Sequence, residues 1–104
     1  MKVRVYQANI SADYKFRGYD EARAAGGPDR DDYRRVFVGE LNLNKDSSIA
    51  LEEIFKWFNG CERPESYKGH SLSVSDVVSL NGVNYYCDNF GWRKIDFETG
   101  EEIA

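Results

Sequence analysis

Asn81-Gly82 is the point in this 104-residue chain where the backbone has least choice. Both residues tolerate positive φ, which a two-residue type I′ turn requires. They stand between Val77-Val78-Ser79-Leu80 and Val83-Asn84-Tyr85-Tyr86-Cys87, two runs rich in β-branched and aromatic residues. The sequence therefore predicts a β-hairpin. A two-residue loop also sets its register, with Leu80 opposite Val83, Ser79 opposite Asn84 and Val78 opposite Tyr85. Val78, Leu80, Val83, Tyr85 and Cys87 then share one face, while Ser79, Asn84 and Asp88 share the other. Val77 and Tyr86 fall on that second face too. Either both faces are covered, or one presents an aromatic patch.

The flanking chain supplies a sheet and two helices. Lys2–Ala8 sets Val3 and Val5 against Lys2, Arg4 and Tyr6, a strand with one face to the core. A strand opening at the second residue is expected of a complete small protein. Phe16–Ala25 places Phe16, Tyr19 and Ala22 three residues apart and predicts a short helix, stopped by Gly26-Gly27-Pro28. Arg34–Leu41 is a predicted strand with Val36 and Val38 on one face and Phe37 on the other. Apolar groups on both faces argue for a central position. Ile49–Asn59 is the clearest helix, its stripe formed by Leu51, Ile54, Phe55 and Phe58, with Asp46, Ser47 or Ser48 as its cap. Arg93–Phe97 makes a last strand, and the acidic tail 98–104 is expected to fray. The expected fold is a single α+β domain over 1–104, in the order β-α-β-α-β-β-β, with a mostly antiparallel sheet and both helices packed on one face.

Charge narrows the function classes. A net charge of -4 argues against a general or sequence-specific nucleic-acid binder, which is normally basic. Residues 1–35 carry eight Lys/Arg and six Asp/Glu, and residues 36–104 carry six and twelve, so +2 faces -6. The acidic part suits a basic partner surface, including one built to hold nucleic acid, and equally suits a solvated face. Cys61 and Cys87 are too far apart for a metal knuckle or a C-x-x-C motif, and Cys87 is expected to be buried as a small hydrophobe. No apolar run is long enough to span a bilayer, and no signal-peptide core follows Met1. The expectation is a reduced, cytoplasmic protein.

Catalytic constellations are sparse. His70, the one histidine, lies near Ser71, Ser73, Ser75 and Asp76, the residue types of a hydrolytic triad. In an extended segment His70 and Asp76 would stand about 20 Å apart, and there is no G-x-S-x-G elbow. One histidine and two separated cysteines do not make a zinc site, and no phosphate-binding loop is present, so no metal and no cofactor are expected. Asp76, Asp88 and Asp96 would do acid–base work only if they converged across the hairpin, and turn capping or solvent exposure is the simpler role. The aromatic residues are the remaining anomaly. Tyr86, Asp88, Phe90 and Trp92 make the expected partner-binding surface, with Asp76 and His70 beside it.

Gly69-His70-Ser71-Leu72-Ser73-Val74-Ser75-Asp76-Val77-Val78, followed by Tyr85-Tyr86-Cys87-Asp88-Asn89-Phe90-Gly91-Trp92, resembles the YodL-like domain family. Val3-Arg4-Val5-Tyr6 and Tyr33–Leu41 add to the resemblance. It implies a cytoplasmic α+β module, often carried by plasmids, integrative elements and phages of Gram-positive bacteria, with no established enzymatic activity and no catalytic residues to carry over. In that setting the expected function is a non-enzymatic inhibitor, monomeric or homodimeric, that binds a host defence nuclease such as a guide-loaded Cas9-type effector, as anti-CRISPR and anti-restriction proteins do. Two alternatives differ in class. One is a module binding a cytoskeletal or regulatory host protein; the other is a small hydrolase or nuclease built on His70 and the hairpin aspartates.

Overall fold

A computed structural model describes residues 1–60 and 63–103; Cys61 lies outside the described residues. The elements are β1 (Lys2–Ala8), α1 (Tyr19–Ala24), a 3-10 turn (Arg30–Asp32), β2 (Tyr33–Glu40), α2 (Ser47–Phe58), β3 (Val77–Leu80), β4 (Val83–Cys87) and β5 (Trp92–Ile95). The hairpin has the expected register, and its turn residues Asn81 and Gly82 take φ of 49° and 87°. Asn81 also ties the turn to the start of β1. Its side-chain oxygen accepts from the Lys2 N–H at 2.8 Å, and its own N–H donates to the Lys2 carbonyl at 2.9 Å.

The strands form one antiparallel sheet in the order β2-β1-β3-β4-β5, an α+β fold as expected. β3 is central and all four of its residues are buried. β2, expected to be central, is an edge strand. Its register on β1 passes from Val5–Phe37 to Tyr6–Arg35, which leaves Val36 in a bulge. A bulge interrupts the alternation, so Val36 and Phe37 enter the same core while Val38 is partly exposed. Apolar groups at consecutive positions reflect that bulge and not two covered faces.

The two helices lie on opposite faces, not on one. α2 is capped by Asp46, whose side chain accepts from the Ser48 and Ile49 N–H groups. It packs Ala50, Leu51, Ile54 and Phe58 on Val3, Val5, Val78 and Leu80. α1 packs Tyr19 and Ala22 with Tyr6, Val77, Tyr86, Ile95 and Phe97. The cause is the two-residue period of the hairpin: it sends Val77 and Tyr86 away from Val78 and Tyr85, and both apolar sets leave water. α1 begins only at Tyr19, because Phe16 has a φ of 66° and stands outside the helix. Residues 98–103, expected to fray, are tied back across β5. Ile103 N–H donates to the Lys94 carbonyl, Tyr19 Oη donates to the Gly100 carbonyl at 2.7 Å, and Glu102 pairs with Arg93 at 3.0 Å. This covers a sheet edge that would otherwise be open to pairing.

Candidate functional site

The stretch from Gly69 to Asp76 does not run extended. Ser75 has a φ of 83°, and Asp76 N–H donates to the Ser73 carbonyl at 3.1 Å, so the segment turns back on itself. His70 and Asp76, expected about 20 Å apart, meet at one atom. Gln7 Nε2 lies 3.2 Å from His70 Nδ1 and 3.0 Å from Asp76 Oδ2. The Gln7 amide is also paired with the His70 backbone: His70 N–H donates to Oε1 at 3.1 Å, and Nε2 donates to the His70 carbonyl at 2.9 Å. Tyr67 Oη accepts from Nε2 at 3.0 Å and donates to that same carbonyl. Gly69 makes the approach possible, since a Cβ there would stand 2.1 Å from Gln7 Oε1. Sequence reasoning missed Gln7, which reads as one more polar residue in an alternating strand.

The carboxyl in this cluster is unusual. Asp76 is wholly buried; Oδ2 also accepts from the Ser73 N–H at 2.9 Å, while Oδ1 has no partner among the described residues. Burial pushes its pKa up to about 7, against the opposing pull of the Ser73 N–H, Gln7, Lys15 and Arg34. Burial likewise pushes the Cys87 thiol up to about 12 and raises the Tyr33, Tyr67 and Tyr86 hydroxyls. His70 and Asp76 both face Gln7 and not each other, so neither orients the other as a triad requires. The arrangement fastens the loop to β1.

The two other hairpin aspartates also serve backbone amides. Gly18 precedes α1 without a capping side chain, and Asp88 supplies the cap from across the sheet. Its Oδ1 accepts from the Tyr19 N–H at 2.9 Å and the Asn89 N–H at 2.8 Å, and its Oδ2 pairs with Arg93 Nε at 2.9 Å. Burial alone would raise this carboxyl, but the two amides and Arg93 outweigh it and hold the pKa below its ordinary value. Asp96 accepts from the Glu98 and Thr99 N–H groups. Tyr86, expected at the contact surface, is wholly buried; its hydroxyl donates to the Arg17 carbonyl at 2.7 Å and its ring meets Tyr19 edge-on at 5.6 Å. Tyr86 and Asp88 are therefore the seat of α1.

Phe90 and Trp92 remain at the surface. Phe90 is 95% exposed at the tip of a turn closed by Asp88 N–H to the Gly91 carbonyl at 3.0 Å, with Gly91 at a φ of 72°. Trp92 is half-buried and meets Phe55 of α2 edge-on at 6.4 Å. It stands between two surface cavities of about 650 and 390 Å³ that share Glu52, Gly91 and Trp92 as walls. Ile49 lines the larger and Phe55 the smaller, and both are partly exposed. The groove thus runs between α2 and the β4–β5 turn. Sequence reasoning did not bring Ile49 and Phe55 to this site, although the apolar stripe of the helix included Phe55.

The model of a family described as YodL-like domain matches residues 2–97. No curated protein and no solved structure matches the chain.

Proposed function

The chain belongs to the YodL-like domain family, and on that premise we propose that it is a non-enzymatic protein-binding inhibitor whose partner docks on the Phe90–Trp92 end. The carrying observation is Phe90, a large apolar side chain 95% exposed on a turn closed by the Asp88 N–H to Gly91 carbonyl hydrogen bond. Burying such a ring in a partner is worth about 1.5–3 kcal/mol, and a turn already in place loses little entropy on binding. The net charge of -4 favours a basic partner surface. That chemistry fits a host defence nuclease, a guide-loaded Cas9-type effector in particular, better than a cytoskeletal or regulatory host protein. The proposed setting is the cytoplasm, as monomer or homodimer; among the described residues no helix is long and apolar enough to cross a membrane.

The test mixes guide-loaded effectors with excess native protein or with Phe90→Ser and follows DNA cleavage. The native protein should slow at least one effector, and Phe90→Ser should not, with both unfolding at the same urea concentration. Undiminished cleavage across several effectors would remove the nuclease as partner. Equal inhibition by both proteins would remove the Phe90 end as the contact.

A further inference from the structure

The smaller cavity of the groove has a chemistry of its own. Its walls are apolar where Phe55, Leu72 and Trp92 line it, and it carries one exposed carboxylate, Glu52. Among the described residues Glu52 makes no ion pair and no side-chain hydrogen bond, and the other carboxylate at this cavity, Asp88, is already held by two amides and Arg93. No lysine or arginine lines the cavity. An apolar cleft with aromatic walls and an unpaired carboxylate lacks one kind of group: a cation on a long apolar stem that also carries hydrogen-bond donors.

We propose that this cavity receives an arginine side chain of the partner protein, its stem against Phe55 and Leu72 and its guanidinium between Trp92 and Glu52. The planar guanidinium stacks on aromatic rings and donates two parallel hydrogen bonds to a carboxylate. A lysine ammonium would reach Glu52 only as a point charge and sheds its water less readily. The proposal rests on the reading of this end as a protein-binding surface, and it names what that surface selects: a basic segment with Phe90 gripping beside it. Charge complementarity selects this occupant, since an acidic segment would meet Glu52 head-on.

The test needs no partner and so can fail separately from the proposed function. Native protein labelled with 15N is titrated with N-acetyl-arginine amide and, in parallel, with N-acetyl-citrulline amide, its neutral isostere. The arginine probe should bind in the millimolar range, moving the Trp92 indole and the Ser73 and Gly91 amides. Citrulline and the Glu52→Gln variant should each weaken binding about three- to tenfold, the range of a partly exposed charged hydrogen bond. Glu21→Gln, on α1 at the opposite face, should leave binding unchanged. Equal shifts with citrulline, shifts centred elsewhere, or undiminished binding by Glu52→Gln would overturn the proposal. So would Trp92 shifts that follow protein concentration alone, which would put a second copy of the chain in the groove.

Discussion

Replacing Asp76 by asparagine should stabilise the domain above neutral pH. The carboxyl has an ordinary value of 3.8 and rises to about 7 in the folded chain, where burial disfavours its charge. Between those values the folded chain keeps a proton that the unfolded chain releases. The stability tied to that proton is fully present below the unfolded value and is lost as pH rises through the folded one. The slope is about 1.4 kcal/mol per pH unit, so the loss between about pH 5 and pH 8 is on the order of 2–3 kcal/mol. Asparagine keeps an oxygen for the Ser73 N–H and Gln7 Nε2, places its amide where Oδ1 has no partner, and carries no charge. The stability gap between Asp76→Asn and the native protein should therefore widen by about 2–3 kcal/mol from pH 5 to pH 8. Asp46 and Asp88, both held below the ordinary carboxylate value by hydrogen bonds, lose stability only in more acid solution and stay outside this window. Urea unfolding followed by tryptophan fluorescence at intervals across the range measures the gap. Parallel pH curves for the two proteins would refute the reasoning, because they would mean Asp76 ionises in the fold as easily as in water.

Gly69→Ala pushes a methyl group to 2.1 Å from Gln7 Oε1 and should cost at least about 2 kcal/mol in urea unfolding; a change within about 0.5 kcal/mol would mean the clamp on Gln7 contributes little. Asp88→Ala leaves the Tyr19 and Asn89 amides and the Arg93 Nε without their acceptor, while Arg93 keeps Glu102, and should cost about 1–2 kcal/mol. Its α1 amides should lose hydrogen-exchange protection ahead of the sheet, and a uniform loss would argue against a local cap. Tyr86→Phe removes the hydroxyl that meets the Arg17 carbonyl and should cost about 1 kcal/mol, where a surface tyrosine would cost nothing.

What was legible in the sequence follows the range of the interactions involved. The hairpin is set by adjacent residues, Asn81 and Gly82, and α2 by a cap and stripe within one segment, so both were readable. The bulge at Val36 was not, because its cause is a register change on β1, and in isolation Val36-Phe37-Val38 alternates like any strand. The turn at Ser73–Asp76 was hidden by Ser75, a residue with positive φ that carries none of the glycine or asparagine chemistry announcing one. Gln7 meets His70 from 63 residues away, and Asp88 caps an amide 69 residues away. No local pattern encodes either contact.

That long-range satisfaction bears directly on function. Of the six residues expected at the contact surface, Asp76 and Asp88 hold backbone amides, Tyr86 seats α1, and the His70 ring packs on Phe16 with its Nδ1 beside the Ser71 carbonyl. Trp92 divides its area between Phe55 and solvent. Each therefore has a structural reason to be what it is. Phe90 has none: its turn is closed by the Asp88 and Gly91 backbones, and its ring touches water over nearly its whole area. A serine would occupy the position without loss to the fold and without the apolar exposure. Of the six, Phe90 is thus the side chain that the fold leaves unpacked, and it is the one on which the proposed contact rests.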